Sequence, residues 1–277
     1  MGKSVGFIGN FKGKLGNAVG YKVSQSNSGT NQGIRVYQPN IKNPKSAAQA
    51  EQRAKYAPIF ATYNALKSII DRGNESKPYG NASRIAWLKK AFRASEMPWI
   101  VKGGAVAFPV VCQLTKGSLP RITFSVIEDK MNISCPELEA SASVTTVGGV
   151  STALMAGYPF LKAGDQITVV LIGNYYNALN PTVFSFVLDT TSTIAISGFK
   201  AAAGSLTIED TVSFFAGAVI VSREGANGEH LRSTTLLAID PSYLAEYPYV
   251  ADSKAAAIES YMSSASANAD WAEESIQ

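Results

Sequence analysis

The sequence predicts an α+β protein: an extended, basic, glycine-rich N-terminal arm and two helices, then an all-β antiparallel sandwich or jelly-roll-like domain with a short C-terminal helix. Three observations predict it. Glycines crowd the first twenty residues (Gly2, Gly6, Gly9, Gly13, Gly16, Gly20). Alanines at helical spacing follow Asn43-Pro44, and from Gly103 onward short β-branched and aromatic runs alternate with Gly, Asn and Pro. With 277 residues, 46% of them hydrophobic, the chain can hold one large or two modest domains with a real core.

The arm spans residues 1–42. Glycine at this density costs entropy to order and lets the backbone approach another surface closely, so the arm is expected to lie against something else. Gln25 to Gly33, rich in Ser, Asn and Gly, reads as a loop, and Gly33 to Gln38 as a short strand stopped by Pro39.

A helical segment covers 43–102. Asn43 as N-cap and Pro44 at the first helical position open it. Ala47, Ala50, Ala54 and Ala57, then Phe60, Tyr63, Leu66 and Ile70, repeat on one face, and Pro58 is expected to kink or split the helix. A second helix starts near Asn81 or Ser83, with Ile85, Leu88 and Phe92 inward and Arg84, Lys89, Lys90 and Arg93 as an exposed basic face. Glu96-Met97-Pro98 ends it.

The β-domain covers 103–240. Arg121 to Glu128 and Lys130 to Cys135 predict a hairpin turning near Asp129. Gln166 to Ile172, Thr182 to Leu188, Thr193 to Ser197, Val212 to Ser222 and Leu231 to Ile239 continue the pattern of short strands. Residues 241–277 return to helix at Ser253 to Ser264, with Ala257, Ile258, Tyr261 and Met262 on one face, and end acidic at Asp270, Glu273 and Glu274.

Charge is divided along the chain. The net value of +4 combines 17 basic and 4 acidic residues up to Lys102, a balance of +13, with 8 basic and 17 acidic residues after it, a balance of −9. A basic half commonly meets a polyanion or the acidic half of a neighbouring copy. The plain alternative is a basic segment folded back on its own acidic domain.

Several chemistries are excluded or unsupported. Gly9 to Lys14 is not a phosphate loop: three residues separate its glycines and Leu15 follows the lysine. No G-x-S-x-G, H-E-x-x-H or dinucleotide fingerprint occurs. His230 is the only histidine, so a histidine-rich metal site is impossible, and its place beside a strand reads as an exposed loop residue. The pairs Glu128-Asp129 and Glu209-Asp210 lie near turns, where carboxylates are ordinary, although a two-carboxylate glycosidase assembles only in the fold. Cys112 and Cys135 have no metal or redox spacing and read as two buried thiols, with a bridge between them left open. No cofactor and no metal are expected. The N-terminus lacks the apolar run of a signal peptide, and Met1-Gly2 lacks the Ser or Thr at position 6 of a myristoylation signal. The uncharged stretch Gln166 to Leu188 contains Asn174, Asn177, Asn180 and Pro181, so it reads as two strands around a turn and not as a membrane span.

Gly13-Lys14-Leu15-Gly16-Asn17, Val19-Gly20-Tyr21 and Arg35 lead to Asn43-Pro44-Lys45-Ser46, Gln49 and Arg53. This arrangement resembles an uncharacterised protein family common in Bacteroidota and among phage-related genes, marked by G-K-x-G-x-x-V-G-Y and N-P-x-[ST]-x-x-Q-x-x-x-R. The resemblance covers roughly the first quarter of the chain, with weaker likeness near Arg223 to Leu237. It implies a basic N-terminal region joined to a β-rich domain, and it carries over no catalytic residue.

The resulting expectation is a non-enzymatic structural protein of a phage or phage-like particle, assembled in the bacterial cytoplasm and resident in the virion. Partners would be further copies or other particle proteins, and single-stranded nucleic acid, with no membrane. The contact residues would be Lys3, Lys12, Lys14, Lys22, Arg35, Lys42 and Lys45 of the arm and Arg84, Lys89, Lys90 and Arg93 of the second helix, whose charges neutralise phosphates. Phe7, Phe11 and Tyr21 would stack on unpaired bases or pack on the protein's own helices. The alternative is a bacterial β-sandwich binding module that recognises a protein or glycan at the cell surface.

Overall fold

The computed structural model describes 13–15, 18–22 and 32–36 as backbone strands, and 46–263 apart from 95–96, 107, 177, 210–212, 227, 241, 244–246 and 248–249. Two units are resolved, Met1–Pro44 and Lys45–Gln277. In the first, β1 (Gly13–Leu15), β2 (Ala18–Lys22) and β3 (Gln32–Val36) pair antiparallel in that order. The strand expected at Gly33–Gln38 is β3. The hairpin β1–β2 was not expected, because its glycines obscure any apolar alternation. Backbone pairing needs no side chain, and Gly13 stands opposite Gly20 in the register. The loop at Gln25–Gly33 lies outside the described residues except for its last two, as do Asn43, Pro44 and the acidic end.

The second unit begins with α1 (Ala47–Ala65), α2 (Lys67–Ile70) and α3 (Asn81–Ala91). The cap of α1 is Ser46 and not Asn43: the Ser46 hydroxyl accepts the Gln49 N–H at 3.3 Å, satisfying one of the helix's orphan donors. Pro58 does not split α1. The Thr62 hydroxyl donates to the Pro58 carbonyl at 2.7 Å and accepts the Val110 N–H at 2.9 Å, so the disturbed turn is tied to the following layer.

Next come β4 (Gln113–Thr115), β5 (Phe124–Ile127), β6 (Lys130–Ser134), α4 (Val147–Gly157), β7 (Gln166–Tyr175) and β8 (Ala178–Val187). After them lie β9 (Phe199–Ala202), β10 (Ser205–Glu209), β11 (Ala216–Glu224), β12 (His230–Arg232), β13 (Thr235–Leu236), β14 (Ala238–Ile239) and α5 (Lys254–Ser263). All laddered strands pair antiparallel. One sheet runs β5-β6-β10-β9, a second runs β12-β11-β7-β8 with β14 also on β11, and β13 pairs with β4. The architecture is therefore α+β and mostly antiparallel β, sandwich-like, with a short C-terminal helix.

Alternation along β7 and β11 explains the layering. Ile167, Val169, Leu171, Val219 and Val221 face a core shared with the first sheet and α4, where Met131, Ile133, Leu154 and Leu206 are buried. Val170, Ile172, Ala216, Ala218 and Ile220 face the opposite way, into a core with Ile59, Leu66, Ile70, Trp87 and Phe108. Successive strand residues point to opposite faces, and here both faces are covered, which is why these strands read as continuous apolar runs. No described helix is long and apolar enough to cross a membrane.

The hairpin near Asp129 forms as expected. Glu128 and Asp129 adopt φ of 49° and 60°, the left-handed pair that a two-residue turn between twisted strands demands. Other expectations are corrected. Thr193–Ser197 is no strand: only Ala195 bridges, to Thr146, because this segment closes the N-terminus of α4. Leu231–Ile239 breaks into β12, β13 and β14, which serve different partners. Elements β4, α4, β9 and β10 were not read from the sequence.

Candidate nucleic-acid interface

The core-facing positions of α3 fix where its cations point. Ser83, Trp87 and Ala91 are buried, four residues apart on one helical face, and the Ser83 hydroxyl donates to the Ile70 carbonyl at 2.8 Å. Ile85, expected inward, is 44% exposed, since the large Trp87 sets the phase of the helix. The expected basic face is consequently divided. Lys89 and Arg93, one turn apart, are exposed. Arg84 is half-buried with its guanidinium over the Tyr63 ring, 4.9 Å from the centroid. Lys90 is exposed as expected and donates to the side-chain oxygen of Gln113.

Lys90 has company that the sequence did not predict. Burial, and then the charge of Lys116, push its ammonium below the ordinary lysine range. Both lysines line a hollow of about 20 Å³ beside Trp87 and Gln113. Lys116 reaches this place through its parallel bridge to Asn74, a long-range pairing with no local signature.

The described acidic residues of this layer are engaged by protein partners. Asp71 is 7% exposed and accepts the Tyr63 hydroxyl at 3.0 Å. Glu51 is paired with Lys55 and Lys254, at 3.0 and 2.7 Å. Glu75 accepts the N–H of Ser118 and of Arg232, both at 2.9 Å, and the Ser118 hydroxyl at 2.8 Å. Burial alone raises the Glu75 pKa, but those donors and the Arg232 charge outweigh it and hold the group below its ordinary 4.5. A depressed carboxylate contributes stability above its unfolded-state value and loses it as pH falls through the folded value. Glu75→Gln should therefore cost about 1–3 kcal/mol at neutral pH. The gap to the parent should narrow in acid, as urea unfolding at several pH values would measure.

Among the described residues, Arg53, Lys67, Arg72, Lys77, Arg84, Lys89, Lys90 and Arg93 form no ion pair. Aromatic rings accompany them. Tyr56, 50% exposed, meets Phe92 edge-on at 5.0 Å and so joins α1 to the end of α3, where Arg93 follows. Tyr79, 68% exposed, has Arg72 over one ring face at 5.2 Å and borders an open hollow of about 410 Å³ with Lys67 on its rim. Such a surface offers phosphates a set of cations that no carboxylate neutralises, and bases a ring to stack on.

Of the arm residues, Lys14, Tyr21, Lys22 and Arg35 stand in strands β1–β3, with Lys14, Val19 and Arg35 in one register row. Lys3, Phe7, Phe11, Lys12, Lys42 and Lys45 lie outside the described residues.

The remaining chemical candidates have structural partners. Asp129 accepts the hydroxyls of Ser213 and Tyr243, and the Glu128 N–H donates to Asp240 at 2.9 Å. Glu209 pairs with Lys130 and Lys200. His230 is exposed at the start of β12. Cys112 and Cys135 are free and buried, and burial raises their thiols to about 12 and about 11. Among the described residues no group of three or more His, Cys, Asp or Glu is placed to hold a metal ion. Comparison with protein-family models, curated proteins and solved structures finds no match.

Proposed function

We propose that the chain is a non-enzymatic structural protein of a phage or phage-like particle, assembled in a bacterial cytoplasm. Its β-layers make assembly contacts, and its basic arm, together with the helical layer, binds packaged nucleic acid or a neighbouring subunit. One observation carries this reading: among the described residues Arg53, Lys67, Arg72, Lys77, Arg84, Lys89, Lys90 and Arg93 of the helical layer form no ion pair, Lys55 being the exception with Glu51, although the same folded unit holds all of the chain's carboxylates. A basic segment neutralised by its own acidic domain would show cross-layer pairs. The resemblance of residues 13–53 to phage-associated sequences points the same way.

Fluorescence anisotropy of a labelled single-stranded oligonucleotide tests it. With about four phosphates engaged, log affinity should fall against log salt with a slope near −3. Lys89→Glu with Arg93→Glu should make that slope shallower by about 1.4, as should Lys12→Glu with Lys14→Glu in the arm. Absent or salt-independent binding overturns the nucleic-acid role.

A second reading is a surface binding module for a protein or glycan. The observation favouring it is the β7–β8 tip, where Tyr175 and Tyr176 are 63% and 86% exposed and Tyr176 adopts φ of 49°. That reading leaves the oligonucleotide unbound.

A further inference from the structure

Strand β8 ends its sheet, and among the described residues no strand pairs with its outer side. Pro181 shows which backbone groups face that open edge. It lies inside the ladder, opposite Ile172, and a proline there must turn its nitrogen away from the neighbouring strand. Backbone direction alternates residue by residue, so Val183, Ser185 and Val187 also turn their N–H and C=O groups away from β7. The edge past Pro181 is thus a row of open donors and acceptors.

Apart from Pro181 itself, no side chain blunts this edge. From Gln166 to Val187 the hairpin carries no charged residue, whereas exposed edges are commonly guarded by lysines or inward charges. Phe184 and Phe186 turn into the core, each edge-on to Phe199, at 6.0 and 5.8 Å. Val183 and Val187, on the other face, are 46% and 52% exposed. The helical layer covers this face further along, where Leu179 packs into the second core.

The segment Val183-Phe184-Ser185-Phe186-Val187 reads the same in both directions. We propose that β8 pairs antiparallel with β8 of a second copy about a two-fold axis at Ser185, joining two central sheets into one. In that register Val183 lies opposite Val187 of the second copy, Phe184 opposite Phe186, and Ser185 opposite its own equivalent. The outward groups of residues 183, 185 and 187 then close about six hydrogen bonds. A two-fold contact requires a self-complementary strand, and this neutral palindrome brings apolar groups against apolar groups and no like charges together. The inference rests on the reading that the β-layers make assembly contacts, and it names the contact.

Sedimentation velocity of the full chain, from micromolar to sub-millimolar concentration, tests it. The parent should self-associate. Ser185→Pro removes two central hydrogen bonds and no intrachain one, so it should weaken association about tenfold or more while thermal unfolding stays near the parent's. Val183→Lys with Val187→Lys should dissociate the pair, because like charges come face to face. Val183→Lys with Val187→Glu should restore it, because each lysine meets a glutamate of the other copy. Association unchanged in Ser185→Pro and in the double lysine variant overturns the β8 contact and leaves the particle reading standing. Loss in both without rescue by the charge pair overturns the register proposed. A monomeric parent that still binds oligonucleotide removes the β8 contact alone; one that binds none removes both.

Discussion

Arg223→Ala should lower the unfolding free energy by about 3–5 kcal/mol, the largest loss expected from any single charged residue here. Its partner explains the size. Asp165 has a side chain only 1% exposed, and the guanidinium reaches it with two parallel bonds, Nε to Oδ1 and Nη2 to Oδ2, both 2.6 Å. The same Nη2 donates to the Phe160 carbonyl at 2.8 Å. One further donor is left to Asp165, the Lys162 N–H at 2.8 Å. That single bond cannot replace a fork-shaped pair as compensation for a buried charge. The carboxylate in turn raises the Arg223 pKa, through the hydrogen bond first, so the guanidinium stays charged. Asp165→Asn with Arg223→Met removes both charges and should recover part of the loss. Urea unfolding of the single and double variants measures the difference.

Gly117→Ala should cost about 3 kcal/mol, for a reason of space and not of backbone conformation. A β-carbon there would lie 2.0 Å from the Arg232 carbonyl oxygen and 2.6 Å from Oε2 of Glu75. The first neighbour is backbone and cannot rotate away, and the second is the carboxylate that ties the helical layer to β12. Gly117 is also held on both sides by Thr234, whose hydroxyl accepts its N–H at 3.1 Å and donates to its carbonyl at 2.9 Å. Gly204→Ala is the contrast. Its φ of 75° strains alanine, but open space surrounds it, so about 1 kcal/mol is expected. Thermal unfolding of the two variants should rank them in that order.

Where local chemistry decides structure, the sequence was readable. Two β-branched runs around Glu128-Asp129 specify the β5–β6 hairpin, and a long uncharged stretch broken by Asn and Pro specifies β7–β8. Helix α4 was hidden because Val147 to Gly157 holds three glycines and β-branched residues, poor helix formers. Two of those glycines are required from outside the helix: β-carbons at Gly148 and Gly149 would come within 2.5 Å of the Ser192 carbonyl oxygen and 2.1 Å of the Ser143 one. Tertiary approach therefore selects residues against propensity, with Thr146 capping the helix and Val150 and Leu154 buried beneath it. The candidate site divides in the same way. Its charge was evident from composition. That Glu75 is held by Ser118 and Arg232, and that Lys116 joins Lys90, depends on partners far along the chain.

The central sheet limits how this protein can be taken apart. Removing residues 46–102 would leave Val170, Ile172, Ala218 and Ile220 facing water, and removing the first β-sheet would do the same to Val169, Leu171, Val219 and Val221. No modular seam runs between the cationic helices and the strands, so neither can be traded to another chain alone. The seam that does exist lies at Pro44 and Lys45. Exchange of whole segments between related proteins is expected to fall there, while change elsewhere must proceed one surface residue at a time.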